Sequence, residues 1–287
     1  MDDPMTLVLT ALPGSGGAAQ PALVCFPPAG AGASFYRRLA PRLTGPEEAP
    51  TSPVEGLTSP VAGQLFSTVW AVQYPGRESR LREPHTLTCA ERSGEATAAI
   101  RAQLSSAPGV VLLGHSFGAR VAFDTALQLR AEGFPVAGLI VSGCAAQVPA
   151  PGHRRHPDPH MSTAEALLTW VRELGGLPAD LLACDELLAL TAAALRADLI
   201  AAEAPASPAD AVLDVPLLLL SADDDPLVPP AAMDDWAART TAGSIRLDLH
   251  GGHHALLHDG SWLLATASWL DELTAGGGVC PAGGRRP

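Results

Sequence analysis

Short apolar runs alternate along this chain with longer segments in which apolar residues recur every three or four positions. ALVCF (22–26), TVWAVQY (68–74), VVLL (110–113), LIVSG (139–143), PLLLLSA (216–222) and IRLDLH (245–250) are too short for helices and rich in branched side chains, so they predict strands. Helical spacing fills the segments around Phe35–Leu43, Ala90–Leu104, the stretch after residue 117, Ala231–Arg239 and 261–273. Strand and helix thus take turns, and strands as apolar as LLLL need cover on both sides. The pattern predicts an α/β fold with a mostly parallel sheet and helices on both faces.

Two segments break the rhythm. Residues 44–64 are rich in Pro, Gly, Ser and Thr and predict a surface loop. The second break opens with PAPGHRRHPDPH and continues as helical sequence interrupted by Gly175, Gly176 and Pro178. An insertion between late strands lies over the carboxyl edge of the sheet or beside it. We expect a lid, the alternative being a packing layer. The expected organisation is an α/β core over 1–148 and 203–275, a helical lid insertion over 149–202 and a disordered tail over 276–287.

The junction after VVLL carries the first candidate chemistry. LLGHSFGAR (112–120) holds a serine at G-x-S-x-G spacing between a strand and a helix whose apolar residues include Val121, Ala122, Ala126 and Leu129, with Gly133 as a stop. Three fixed positions alone also describe an ordinary glycine turn. The strand-turn-helix context is what favours a nucleophile, because the helix N-terminus aims free N–H groups and a positive dipole end at the turn. A serine at its ordinary pKa needs a base, and the base needs an orienting carboxylate. In such sheets the chain order is Ser, acid, His. SADDDPLVP (221–229) follows one late strand and offers Asp223, Asp224 and Asp225. HGGHHALL (250–257) follows the next and offers His250, His253 and His254. An oxyanion needs two N–H donors: Phe117, directly after the serine, and Ala29, the first residue with an N–H after Pro27 and Pro28 in CFPPAGAG.

Composition narrows the partners. The chain of 287 residues carries a net charge of −12, which argues against a broad nucleic-acid surface. All 18 basic residues are arginine, which excludes a P-loop lysine and a Schiff base. The start, MDDPM, lacks the basic region of a signal peptide, no apolar run has membrane-spanning length, and the five cysteines are scattered. A reduced cytoplasmic setting is the expectation. His153, His156 and His160 are separated by prolines and lack partners for a zinc site, so no metal is expected.

The chain resembles the discrete type II thioesterases of polyketide and nonribosomal peptide assembly lines, within the α/β-hydrolase class. The resemblance covers about residues 20 to 273 and rests on six blocks in order: LVCFPPAGAGASFYRRLAPRL, VWAVQYPGRESRLREP, LLGHSFGARVAFDTA, VRELGGLPADLL with LRADL following, DDDPLVPPAAMDDW and HGGHHALL. It implies Ser116 as nucleophile, Asp225 as acid (with Asp223 as the fallback), His253 as base, and Ala29 and Phe117 as oxyanion donors. It implies hydrolysis of acyl thioesters on the phosphopantetheine arm of an acyl or peptidyl carrier protein, with no cofactor of the enzyme's own. A carboxylesterase or lipase acting on small oxygen esters is the alternative. A monomer is expected because the lid and tail suggest no partner face. Pro28 and His254 depart from the residues usual in that family, which bears on substrate size. An acidic enzyme that meets an acidic carrier needs a local basic rim, for which Arg37, Arg38, Arg77, Arg80, Arg82, Arg154 and Arg155 are the candidates, although most are expected to be ordinary solvated arginines.

Overall fold

The computed structural model describes residues 8–12, 20–44, 65–85, 88–147, 155–175, 184–204 and 206–274. Most of the expected loop at 44–64, the tail, part of the insertion and His153 and Arg154 lie outside them. The described elements are β1 (Leu9–Ala11), β2 (Ala22–Phe26), α1 (Ala40–Thr44), β3 (Val69–Val72), α2 (Cys89–Gln103), β4 (Val110–His115), α3 (Phe117–Ala131), β5 (Val136–Ser142), α4 (Ala164–Glu173), α5 (Asp185–Ala202), β6 (Leu217–Ala222), α6 (Pro230–Met233), β7 (Ser244–Leu249) and α7 (Ser261–Thr274). They build one seven-stranded sheet in the order β1-β3-β2-β4-β5-β6-β7. Only the edge strand β1 runs antiparallel, against β3; the remaining neighbours are parallel. This is the α/β-hydrolase fold.

The inner strands β2, β4 and β6 are almost wholly apolar because every residue in them is buried, whereas the edge strands β1 and β7 carry polar and partly exposed residues. Val24, Leu112 and Leu219 join one core with α2 and α3, and Leu23, Leu113 and Leu218 join the other with Trp262 and Trp269 of α7. The alternation dictated by the pleat is therefore apolar-apolar, and hydropathy alone reveals the strands but not their faces.

Four departures from the sequence expectation have local causes. β1 is too short to display an alternation. β5 begins three residues before LIVSG, at Val136; Gly138 interrupts the apolar run because a Cβ there would sit 2.4 Å from Trp269 Cη2. The expected helix over 35–43 is a 3-10 turn, Ala33–Tyr36, followed by the short α1. Pro41 forbids a continuous helix, since it offers no N–H to the carbonyl four residues back and its ring crowds it. The helix expected over 231–239 is α6 followed by a 3-10 segment, Asp234–Arg239.

Of the insertion, α4 and α5 pack on each other through Leu167, Val171, Leu195 and Leu199, and Ala29 of the loop after β2 packs against this cluster. The loops after β2, β4, β6 and β7 all leave the carboxyl edge of the sheet, and the register Phe26↔Gly114, His115↔Ser142 and Ala222↔Leu249 aligns their starting points.

Candidate active site

Ser116 ends β4 and opens α3 with φ 53 and ψ −123, a left-handed backbone that a residue with a side chain adopts only at a cost. Neighbouring groups hold it there. Its N–H donates to Ser142 O at 2.8 Å, and its carbonyl accepts from the Ala119 N–H at 3.0 Å. Both flanking glycines are required by contact. A Cβ on Gly114 would lie 2.3 Å from Ala119 Cα, so strand and helix approach only without one; a Cβ on Gly118 would lie 2.0 Å from Phe26 O. The second contact presses the loop carrying Ala29 against the first turn of α3. The Phe117 N–H belongs to that turn, where helix donors have no partner in their own helix.

The two late loops each present a histidine-carboxylate pair. His253 Nδ1 lies 2.8 Å from Asp225 Oδ2, and both side chains are almost fully buried. The other carboxylate oxygen accepts N–H bonds from Leu227 (2.8 Å) and Val228 (3.2 Å). Because the ionised carboxylate only accepts, the bond puts the proton on Nδ1 and leaves the Nε2 lone pair free to act as a base. The His253 ring stands against His115, the residue before the serine, with centroids 4.9 Å apart. It also lies over Gly143, where a Cβ would be 3.3 Å from His253 Cε1. His115 itself is buried, pairs through Nδ1 with Ser142 Oγ at 3.1 Å, and is kept neutral by burial and by the neighbouring His253 and His254.

Asp223 serves another histidine. It pairs with His250 Nδ1 at 2.9 Å and accepts the Gly251 N–H at 2.8 Å, and the His250 ring is almost fully exposed. This hydrogen bond raises the His250 pKa. Asp224 is exposed and contributes its backbone N–H to Gly251 O. Of the three aspartates, the one that meets His253 is Asp225.

A buried ion cluster behind the Ala29 loop has no signature in residue spacing. Asp198 of α5 has no solvent exposure and takes Arg77 in a two-pronged pair (2.6 and 2.8 Å), Arg92 at 2.5 Å and the Gly30 N–H at 2.8 Å. Burial raises the Asp198 pKa, and the guanidinium groups of Arg77 and Arg92 outweigh it and bring it to about 2. Arg77 is therefore no rim residue. Arg80 is also buried, held by Glu83 and Glu95. Arg37, Arg38 and Arg82 are exposed, as is Arg155, which donates to Pro226 O. Arg77 and Asp198 both sit in blocks singled out above, but nothing in the spacing brings together residues 121 apart.

A cavity of about 310 Å³ opens between the insertion and the core, lined by Ala29, Phe35, Val171, Leu190, Leu195 and His254 among others. Its lining is mostly apolar, as a site for a hydrocarbon chain requires. Among the described residues, no cluster of three or more His, Cys, Asp or Glu suits a metal ion, and no helix is long and apolar enough to cross a membrane.

A serine on a strained strand-helix turn, beside a histidine-aspartate pair at the carboxyl edge of such a sheet, is the arrangement of a serine hydrolase of the α/β class. The family model described as thioesterase domain matches residues 56–279, and the chain belongs to the thioesterase family. It is 34% identical over 238 residues to the thioesterase PikA5 of Streptomyces venezuelae, covering 83% of this chain and 75% of that one. To a probable cadicidin biosynthesis thioesterase of Streptomyces griseus it is 33% identical over 238 residues, 82% of this chain and 58% of that one. The structure of BorB, a type II thioesterase from the borrelidin biosynthetic cluster, superposes with a TM-score of 0.72 at 28% identity, covering 92% of this chain and 97% of that one.

Proposed function

We propose that this chain is a serine thioesterase that hydrolyses acyl groups from the phosphopantetheine arm of acyl or peptidyl carrier proteins in polyketide or nonribosomal peptide biosynthesis. The observation that carries the reading is the buried Asp225–His253 pair standing beside the Ser116 turn, next to a mostly apolar cavity lined by Ala29 and His254, in a chain of the thioesterase family. A relative named for cadicidin biosynthesis and the likeness to a type II thioesterase from the borrelidin biosynthetic cluster support the carrier-bound substrate.

In this mechanism His253 Nε2 takes the Ser116 Oγ proton as the oxygen attacks the thioester carbonyl. The Ala29 and Phe117 N–H groups hold the developing oxyanion. Asp225 keeps His253 in the tautomer with Nε2 free and stabilises the imidazolium that forms. The imidazolium returns its proton to the departing pantetheine sulfur, leaving an acyl-serine. Water enters, loses a proton to His253, and attacks the ester; the serine regains its proton and the free acid leaves. The insertion acts as a lid over the acyl chain. The enzyme works as a cytoplasmic monomer without a cofactor of its own, with the carrier protein as its partner.

Intact-mass monitoring of carrier proteins loaded with acetyl to dodecanoyl groups tests this reading, with Ser116→Ala alongside. Loss of acyl mass with the wild type, absent with the variant, is the expected result. Turnover of simple oxygen esters with no unloading of any carrier refutes it in favour of a carboxylesterase.

A further inference from the structure

Among the described residues, the cavity is lined by five polar side chains: Ser34, Arg77, Glu78, Thr191 and His254. Four of them have their hydrogen bonds inside the protein. The Ser34 hydroxyl donates to Glu78 Oε1 at 2.6 Å, Arg77 is paired with Asp198, and the Thr191 hydroxyl donates to Leu187 O at 2.8 Å. His254 differs. Its Nδ1 lies 3.0 Å from Leu174 O, just beyond α4. A carbonyl oxygen only accepts, so the proton is on Nδ1, and in the neutral ring Nε2 is a lone-pair acceptor. Burial and the neighbouring His253 lower the His254 pKa to about 4, so the ring is neutral at pH 7. Among the described residues Nε2 has no partner, and it is not one of the polar atoms sealed from solvent. An acceptor is thus left open on a residue that lines a mostly apolar cavity.

Its position along the substrate follows from its neighbours. The His254 ring centroid is 5.2 Å from that of His253 and 5.8 Å from that of Phe35. If the thioester carbonyl lies between His253 and the Ala29 N–H, His254 faces the first two or three carbons beyond it. A plain hydrocarbon there displaces water from Nε2 and leaves the acceptor unpaired, whereas a hydroxyl satisfies it.

We propose that His254 is a specificity residue whose Nε2 accepts a hydrogen bond from a hydroxyl close to the thioester carbonyl, so that the preferred substrates are hydroxyacyl groups. This rests on the thioesterase reading above and deepens it. An acyl-chain donor is favoured over an ammonium because the one carboxylate that lines the cavity among the described residues, Glu78, is already engaged by Ser34.

The test compares butyryl with each enantiomer of 3-hydroxybutyryl, all as thioesters of N-acetylcysteamine, using wild type and His254→Phe. The wild type is expected to favour one hydroxy enantiomer over butyryl by about tenfold or more in kcat/KM. His254→Phe is expected to erase that ratio, chiefly by gaining on butyryl. Wild-type rates within twofold of each other overturn the proposal, whatever the variant's folding. So does a preference that survives in His254→Phe, or an equal loss on all three substrates, which would assign Nε2 to the shared thiol arm. Hydrolysis of none of the three by wild type overturns the thioesterase reading together with this one. Hydrolysis without a hydroxyl preference overturns this one alone.

Discussion

Replacing Asp198 by Asn removes a charge on which two buried guanidinium groups and one loop N–H depend. The carboxylate accepts from Arg77, Arg92 and Gly30, and neither its own side chain nor that of Arg92 has any solvent exposure. Deleting one partner of a buried pair leaves the other charges uncompensated, at a cost of about 3–5 kcal/mol. The displaced acid titration provides a lower figure: a pKa near 2 against the ordinary 3.8 corresponds to about 2 kcal/mol. That contribution is complete above pH ~4 and disappears as pH falls through ~2, because the folded state holds the carboxylate ionised. At about 2 °C per kcal/mol for a chain of this length, Asp198→Asn is expected to melt roughly 6–10 °C lower by circular dichroism at pH 7. Activity is expected to fall as well, since the Gly30 N–H bond anchors the loop that presents Ala29. A displaced oxyanion donor costs up to about 10²–10³ in kcat, so a loss of about tenfold or more with KM nearly unchanged is expected on a thioester substrate. Arg77→Met/Arg92→Met/Asp198→Leu separates the two effects, because an apolar triad recovers stability without restoring the anchor. A melting point within about 2 °C of wild type together with unchanged kcat in Asp198→Asn would refute the reasoning.

Three further outcomes follow from the same geometry. Asp225→Ala is expected to lower kcat by about 10³ or more while Asp223→Ala stays within a few-fold, since only the first pair is buried against His253; the reverse ranking in a steady-state assay moves the acid by two positions. Gly118→Ala forces a Cβ to 2.0 Å from Phe26 O and is expected to abolish soluble folding, whereas Gly133→Ala, with φ 74 and open space around it, is expected to cost only about 1 kcal/mol in a urea melt; equal effects contradict the close packing of the turn. The His254 pKa near 4, lowered by burial, means that its neutral ring favours the folded state above pH ~6.5 and loses that advantage as pH falls to ~4, about 3 kcal/mol in all. Urea unfolding of His254→Phe at pH 7 and pH 5 is expected to show a smaller loss of stability on acidification than wild type, and an identical loss contradicts a buried neutral ring.

What the sequence revealed and what it hid divide along a physical line. Hydropathy reports burial averaged over neighbours, so strands covered on both faces, such as VVLL and LLLL, stand out wherever they fall. The glycines of the serine turn are legible because the backbone contacts at Gly114 and Gly118 leave no alternative residue type. The choice among Asp223, Asp224 and Asp225 was not decided by residue type. Asp223–His250 and Asp225–His253 are two parallel pairs grown from the same two strand ends, and spacing cannot say which is buried. Asp198 is hidden for a stronger reason. In a helix with apolar residues on most sides it reads as one tolerated polar position, and its partners lie in two other segments far along the chain. The same holds for His254, whose meaning depends on the Leu174 carbonyl from the insertion. In each case the hidden information is the partner of a buried polar group. Such partners come from different strand-end loops and from the insertion, the parts of the chain where periodicity is weakest. A site assembled at the carboxyl edge of a sheet is therefore legible in its order along the chain before it is legible in its contacts, and the residues that tune the chemistry are the last to appear.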